Sequence, residues 1–185
     1  VLVTGGGGFV GLALIKRLKE EGYEISSFSR QKYPVLEELG INQICGNLSS
    51  FNAVRNATRD QEVVFHVAAK AGFWGSHQEY HEANVLGTKN IIKACQECNV
   101  SKLIFTSSAS VVFGGGSIEN GNTKLPYPKI PLSHYTATKA LSEQAVIQAN
   151  CDSLKTISLR PHTIWGPGDR HIIPRLLERA KSGKL

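Results

Sequence analysis

Tyr135 and Lys139 stand four residues apart, so on a helix they share one face. An ammonium beside a phenol favours the tyrosinate and draws its pKa down, which suits proton transfer to a carbonyl or carbinol oxygen. Tyr-x-x-x-Lys recurs by chance, so placement decides its weight. Upstream lies Phe105-Thr106-Ser107-Ser108-Ala109-Ser110, an apolar strand running into hydroxyls. Hydroxyls at the carboxyl end of a central strand of a parallel sheet face the crevice where ligands bind. One of Ser107 and Ser108 serves there; the other is left to ordinary loop hydrogen bonding.

A phosphate-binding turn opens the chain. Val1-Leu2-Val3-Thr4 runs into Gly5-Gly6-Gly7-Gly8, and Val10, Leu14, Ile15 and Leu18 then follow a helical period. Strand, glycine turn and helix are the context a dinucleotide loop needs. Both Gly6-x-Gly8-x-x-Gly11 and Thr4-Gly5-x-x-Gly8-x-x-Gly11 are satisfied. The helix start offers free N–H groups and a partial positive charge to a pyrophosphate. Beyond strand two the chain reads Phe28-Ser29-Arg30, with no carboxylate to hold an adenosine ribose. Glu24 opens that strand and so lies at its wrong end. Arg clamps a phosphate bidentately, so Ser29 and Arg30 favour NADP(H), with NAD(H) as the alternative.

These groups need a scaffold, and the pattern supplies one. Strands are expected at 1–4, 24–29, 41–45, 63–67, 103–106 and 156–160, and helices at 9–21, 34–39, 51–57, 77–98, 135–150 and 172–181. Ser49 or Ser50 is the expected cap of the third helix. Alternating strands and helices imply an α/β fold, a Rossmann-type doubly wound parallel sheet flanked by helices. The 107–133 stretch, rich in Gly, Ser, Asn and Pro, is a long loop of the kind that usually carries function.

The 185 residues suffice for one such domain. They begin inside a strand, contain no Met and stop just after a helical pattern. Residues 1–185 therefore read as the NAD(P)-binding domain of a longer polypeptide, with the substrate domain largely missing. The net charge of +6 is scattered, without the Lys/Arg runs or aromatic interleaving of a nucleic-acid surface. No segment approaches a membrane span and no signal peptide is visible. Cys45, Cys95, Cys98 and Cys151 lack disulfide-framework spacing, which points to structural thiols and a reducing, cytoplasmic setting. His77 and His81 could form a metal pair at i and i+4, but no third ligand stands near them in sequence.

Taken together the motifs resemble the extended short-chain dehydrogenase/reductases. The glycine turn, His66-Val67-Ala68-Ala69, Asn84-Val85-Leu86-Gly87-Thr88, Thr106-Ser107-Ser108, Tyr135 to Lys139, and Arg160-Pro161 with Gly166-Pro167-Gly168-Asp169 follow the family's order along almost the whole chain. The resemblance implies roles. Gly5, Gly8, Phe9, Val10 and Gly11 would hold the pyrophosphate; Ala68, Ala69 and Lys70 would line the cofactor. Tyr135 would be the acid/base, Lys139 would hold the nicotinamide ribose, and Ser108 would bind the substrate oxygen. Pro161, His162 and Thr163 would lie along the nicotinamide. Gly46-Asn47-Leu48 replaces the Gly-Asp-Leu of many relatives, so Asn47 keeps an acceptor for adenine without the charge.

Ala109 and Ser110 stand where sugar dehydratases of this family carry Asp-Glu, which disfavours dehydration. Val111-Val112-Phe113-Gly114 departs from the Val-Tyr-Gly of sugar epimerases. The stretches at 66–75 and 160–169 resemble the 3β-hydroxysteroid dehydrogenase branch, and within it bacterial reductases of 2-alkyl-3-oxoalkanoates. The resemblance thus implies reversible hydride transfer between NAD(P)(H) and a 3-oxo or 3β-hydroxy group on an apolar small molecule. Phe73, Trp74 and Trp165 would form an apolar wall or else cover a domain junction. An NDP-sugar epimerase using the same Ser, Tyr and Lys, and a cofactor-binding regulator without turnover, remain as alternatives. The family's dimers use the helices at 77–98 and 135–150; the residues alone leave a homodimer open.

Overall fold

The computed structural model describes residues 1–72, 74–169 and 172–184. Six strands, β1 (Leu2–Thr4), β2 (Ser26–Ser29), β3 (Asn42–Cys45), β4 (Val63–His66), β5 (Lys102–Thr106) and β6 (Lys155–Leu159), form one parallel sheet in the order β3-β2-β1-β4-β5-β6. The strand order reverses between β1 and β4, the switch point where such sheets bind ligands. In register, Thr4 pairs with Phe28 on one side and His66 on the other. The carboxyl ends of the central strands therefore lie level.

Strand side chains alternate between faces, and the core divides accordingly. Leu2, Phe28, Val64, Leu103 and Phe105 pack with Val54, Ile91, Ala94 and Val146 of α3 (Phe51–Thr58), α5 (Gly87–Glu97) and α6 (His134–Gln148). Val3 and Ile25 pack on the other side with Ile15 and Leu18 of α1 (Phe9–Glu20) and Leu36 of α2 (Pro34–Glu38). This is the expected doubly wound architecture. Ile157 and Leu159 of β6 are half exposed, and the last helix, α7 (Ile172–Lys181), buries none of its described side chains.

Two local expectations change. The helix expected over 77–98 is not α throughout: α4 (His77–Tyr80) passes into a π-helical stretch, His81–Leu86, before α5. Such widened turns usually mark functional places, and this one carries Asn84. Ser50 occupies the N-cap of α3 as expected, but its side chain makes no capping bond. Within the long loop, Ala109–Val112 forms a single 3-10 turn.

Candidate active site

The glycine turn is closed by backbone contacts that side chains would obstruct. Gly5 has φ +73, donates its N–H to Phe28 O at 2.9 Å, and a Cβ there would lie 2.9 Å from Ala68 Cα. A Cβ on Gly11 would collide with the Gly5 carbonyl, so the helix packs this tightly on the turn only with glycine. Gly8 is the N-cap of α1, with no side-chain cap and no acidic residue in the first turn. The amides of Phe9, Val10 and Gly11 thus open the helix without a carboxylate competitor, the arrangement a pyrophosphate requires. The residues present fit a dinucleotide. Tyr33, which sequence reasoning did not single out, lays its ring over Gly7.

A buried threonine ties this turn to the loop after β4. Thr4 Oγ1 accepts from the Val67 and Ala68 amides, both at 3.1 Å, and lies 2.8 Å from His66 Nδ1. With both lone pairs used, the Thr4 hydroxyl must donate to Nδ1. His66 is then the neutral tautomer whose Nε2–H points at Thr88 Oγ1, 3.0 Å away. Burial, helped by the Lys139 charge, lowers the His66 pKa to about 3. Ala68 and Ala69 follow on the same loop. The backbone of Lys70 is bracketed by Asn84, whose Oδ1 accepts from Lys70 N at 2.8 Å and whose Nδ2 donates to Lys70 O at 3.1 Å. The same Nδ2 reaches Thr138 Oγ1 at 3.0 Å, linking the loop to the turn of α6 that carries Tyr135. The Lys70 ammonium turns aside to Glu79 and the Tyr80 ring.

Tyr135 and Ser108 meet. The Ser108 hydroxyl lies near enough to the phenol to act on its proton affinity, accepts from Ser110 N at 3.2 Å and lies 2.8 Å from Ser110 Oγ. The first turn of α6 is held by a capping box, Ser133 with Thr136. Lys139 departs from the expected arrangement. Its buried ammonium donates to the Thr106 carbonyl at 2.6 Å and stands 4.0 Å over the Phe105 ring. Burial pulls its pKa down to about 7 against the opposing pull of Glu143. The Tyr135 phenol is correspondingly not lowered: burial raises it, with the nearby Ser108 hydroxyl working the other way. Helix spacing put the two side chains on one face, but the carbonyl at the end of β5 is what the ammonium meets there.

Other expected residues lie at the same carboxyl edge with different partners. Pro161 O accepts from Ala109 N at 3.0 Å, holding the turn of Pro161, His162 and Thr163 against the residue after Ser108. Arg30 is exposed beyond β2, and Ser29 Oγ donates to Gln31 O. The Asn47 acceptor takes the Ser49 amide at 3.1 Å, an Asx turn that uses the oxygen expected to meet adenine. Leu48 packs beside Gly87 and its carbonyl accepts from Asn90. A cavity of about 340 Å³ is lined by Ala109, Ser110, Phe113, Gly116, Ser117, Ile118 and His162. Trp74 and Trp165 are largely exposed, and Phe73 lies outside the described residues.

His134 stands 5.4 Å edge-on from His77, which in turn stacks 6.0 Å from His81. Among the described residues no group of three or more His, Cys, Asp or Glu side chains is arranged to hold a metal ion.

The six-stranded parallel sheet, the glycine turn at its switch point and the Ser108–Tyr135–Lys139 grouping at the end of β5 define a Rossmann-type domain of the short-chain dehydrogenase/reductase kind. The model of the 3-beta hydroxysteroid dehydrogenase/isomerase family matches residues 2–185, and the chain belongs to that family. It is 46% identical over 187 residues to the 2-alkyl-3-oxoalkanoate reductase of Stenotrophomonas maltophilia, covering 100% of this chain and 57% of that protein. It is 38% identical over 185 residues to the human decarboxylating sterol-4-alpha-carboxylate 3-dehydrogenase, covering 99% and 49%. Among solved structures, MoeE5 in complex with UDP-glucose and NAD superposes with a TM-score of 0.82 at 32% identity, covering 97% of this chain and 60% of that one. The chain thus spans about half the length of the curated relatives it matches.

Proposed function

We propose that residues 1–185 form the NAD(P)-binding and catalytic domain of an oxidoreductase that interconverts a ketone and a secondary alcohol. The observation that carries this reading is the placing of the Ser108 hydroxyl and the Tyr135 phenol together at the end of β5, beside a cavity lined by Ala109, Ser110, Phe113 and Ile118, with Lys139 on the same helix face. Two hydroxyls so placed can grip one carbonyl oxygen, Ser108 polarising it and Tyr135 delivering the proton as the carbinol forms. A bound nicotinamide cofactor supplies or accepts the hydride. Lys139, held on the Thr106 carbonyl one turn along the same helix face, would hold the nicotinamide ribose.

Gly5, Gly8, Phe9, Val10 and Gly11 would hold the pyrophosphate, and Arg30 would favour the phosphate-bearing cofactor, NADP(H). The two curated relatives suggest the substrate. The substrates they are named for share a 3-oxygen function on the carbon next but one to a carboxyl carbon. Phe113, Ile118 and Ala109 suit the apolar part of such a substrate. Among the described residues no helix is long and apolar enough to cross a membrane. A cytoplasmic homodimer built on α5 and α6 completes the proposal.

Ketone-dependent oxidation of NADPH by the full chain tests it, with a 2-alkyl-3-oxoalkanoate as substrate. Net oxidation, lost in Tyr135→Phe by at least about 10²-fold while NADPH still binds, is the expected result. Cofactor retained without net consumption would point to an epimerase, and binding alone to a regulator.

A further inference from the structure

The catalytic helix carries a third polar residue on the face of Tyr135 and Lys139. Glu143 lies one turn beyond Lys139 and is fully buried. An isolated carboxylate there would be expensive to bury, and this one is surrounded by donors. Tyr127 Oη donates to Oε1 at 2.6 Å and Ser158 Oγ to Oε2 at 3.0 Å. Arg160 Nε donates to both oxygens at 3.0 and 3.2 Å, and its Nη2 to Oε1 at 2.6 Å. Burial opposes ionisation of Glu143, but the bonds from Arg160 and Tyr127 and the Arg160 charge outweigh it and keep the carboxyl below its ordinary range.

The partners come from three separate parts of the site. Arg160 closes β6 and immediately precedes the Pro161–His162–Thr163 turn, whose Pro161 carbonyl holds the residue after Ser108. Tyr127 belongs to the long loop whose Phe113, Gly116, Ser117 and Ile118 wall the cavity. Tyr127 ties 114–132 to α6 through its bond to Glu143, and its ring lies 5.6 Å from the Arg160 guanidinium. Pro128, the next residue, packs against Gly114 at the root of that wall. Buried ion pairs contribute little net stability compared with an apolar substitute. Geometry, rather than stability, is therefore what this arrangement provides.

We propose that Glu143 is a positioning residue: through Tyr127 it seats the loop that walls the substrate cavity, and through Arg160 it seats the turn beside Ser108. Substrate wall and proton-transfer group are thereby held in register by one carboxylate. Its charge also reaches Lys139 and favours the ammonium there. The charged and titratable groups around that lysine are Glu143 and Tyr135 on α6 and His66 on β4, with Arg160 and Tyr127 on the far side of Glu143.

The consequence for turnover rests on the oxidoreductase reading; the anchoring does not, and the two are read separately. In the full chain, Tyr127→Phe removes one hydroxyl. Hydrogen exchange over 114–132 should quicken while exchange in α6 stays unchanged, and unchanged exchange in the loop would overturn the proposal. KM for the 2-alkyl-3-oxoalkanoate should rise about tenfold, the loss of one hydrogen bond to a charged group, with KM for NADPH within about twofold. Equal effects on both KM values, or on neither, would count against it. In Glu143→Gln the alkaline limb of kcat/KM should move to lower pH as Lys139 loses the neighbour that favours its ammonium. A purely structural role would lower the unfolding temperature and leave that limb in place. Should Glu143→Gln not fold, the Tyr127→Phe exchange and KM measurements decide. If the wild-type chain does not reduce the ketone, the functional reading fails and the exchange result still judges the anchoring.

Discussion

The Lys139 ammonium donates to the Thr106 carbonyl, 2.6 Å away at the end of β5, rather than lying free beneath the phenol of Tyr135. The strand end that leads into Ser108 thus also holds the lysine of the neighbouring helix. Proton affinity at this site is a property of the sheet–helix junction as much as of the Tyr-x-x-x-Lys spacing.

A buried cation of this kind costs stability, so Lys139→Met should remove turnover and leave the fold as stable as the wild type or more so. The pKa of Lys139 falls from 10.5 to about 7 on folding, chiefly through burial. Below pH 7 the folded wild type carries the buried charge in full. Between 7 and 10.5 the unfolded chain binds more protons than the folded one, so wild-type stability rises with pH across that window. The advantage of Lys139→Met should therefore be largest below pH 7 and shrink toward 10.5. Urea unfolding at several pH values measures it; an advantage that grows with pH would contradict the assignment.

His66 sets an acid limit by the same logic. Its pKa drops from 6.5 to about 3, so it stays neutral in the fold while the unfolded chain takes up a proton as pH falls below 6.5. Stability should be lost progressively from 6.5 down to 3. A second proton on the ring would also need an acceptor that Thr4 Oγ1 can supply only by releasing the Val67 or Ala68 amide. His66→Gln should flatten the acid limb of an unfolding profile; an unchanged limb would place the sensitive group elsewhere.

Cofactor choice turns on one exposed side chain. Arg30→Ala should weaken NADPH binding by about tenfold or more, as the loss of a charge-assisted phosphate contact implies. NADH binding should stay within about twofold. Fluorescence titration with both cofactors separates the cases, and equal weakening of both would remove the basis for preferring NADP(H).

Three of the thiols should react in an order that their surroundings set. Cys151 is exposed and lies below its ordinary pKa because of a hydrogen bond with Ser153, whereas burial pushes Cys95 up to about 12. A disulfide reagent at pH 8 should modify Cys151 first, Cys45 next, and Cys95 only on unfolding. Early modification of Cys95 would mean that α5 opens far more readily than its packing suggests.

Much of this molecule is legible in its sequence because helices and strands carry their own periodicity. Glycine, proline and apolar spacing place all six strands and most helix limits within one or two residues. The glycine turn is equally legible, since a chain reversal that admits no Cβ needs glycine wherever it occurs. Local spacing also put Tyr135 and Lys139 on one face. It could not reveal the widening at His81–Leu86, because a π turn is set by what Asn84 must reach, namely the Lys70 backbone and Thr138. Nor could it show that Asn47 accepts from the Ser49 amide, or that Phe113 and Ile118 line a cavity beside the residues after Ser108. One signal for Glu143 was present: a carboxylate continuing the i, i+4 ladder of Tyr135 and Lys139.

The sequence by itself determined the order of elements, the doubly wound class and the residue types able to do the chemistry, since each is encoded within a few neighbouring residues. Only the tertiary structure decided that His66 is a buried neutral ring held by Thr4 and Thr88, that Lys139 binds Thr106, and that Glu143 gathers Tyr127, Ser158 and Arg160. Those partners are brought together by strand register and helix packing across 15 to 62 positions of chain. At such separations, residue type says what a side chain can bind, and the fold says what it meets.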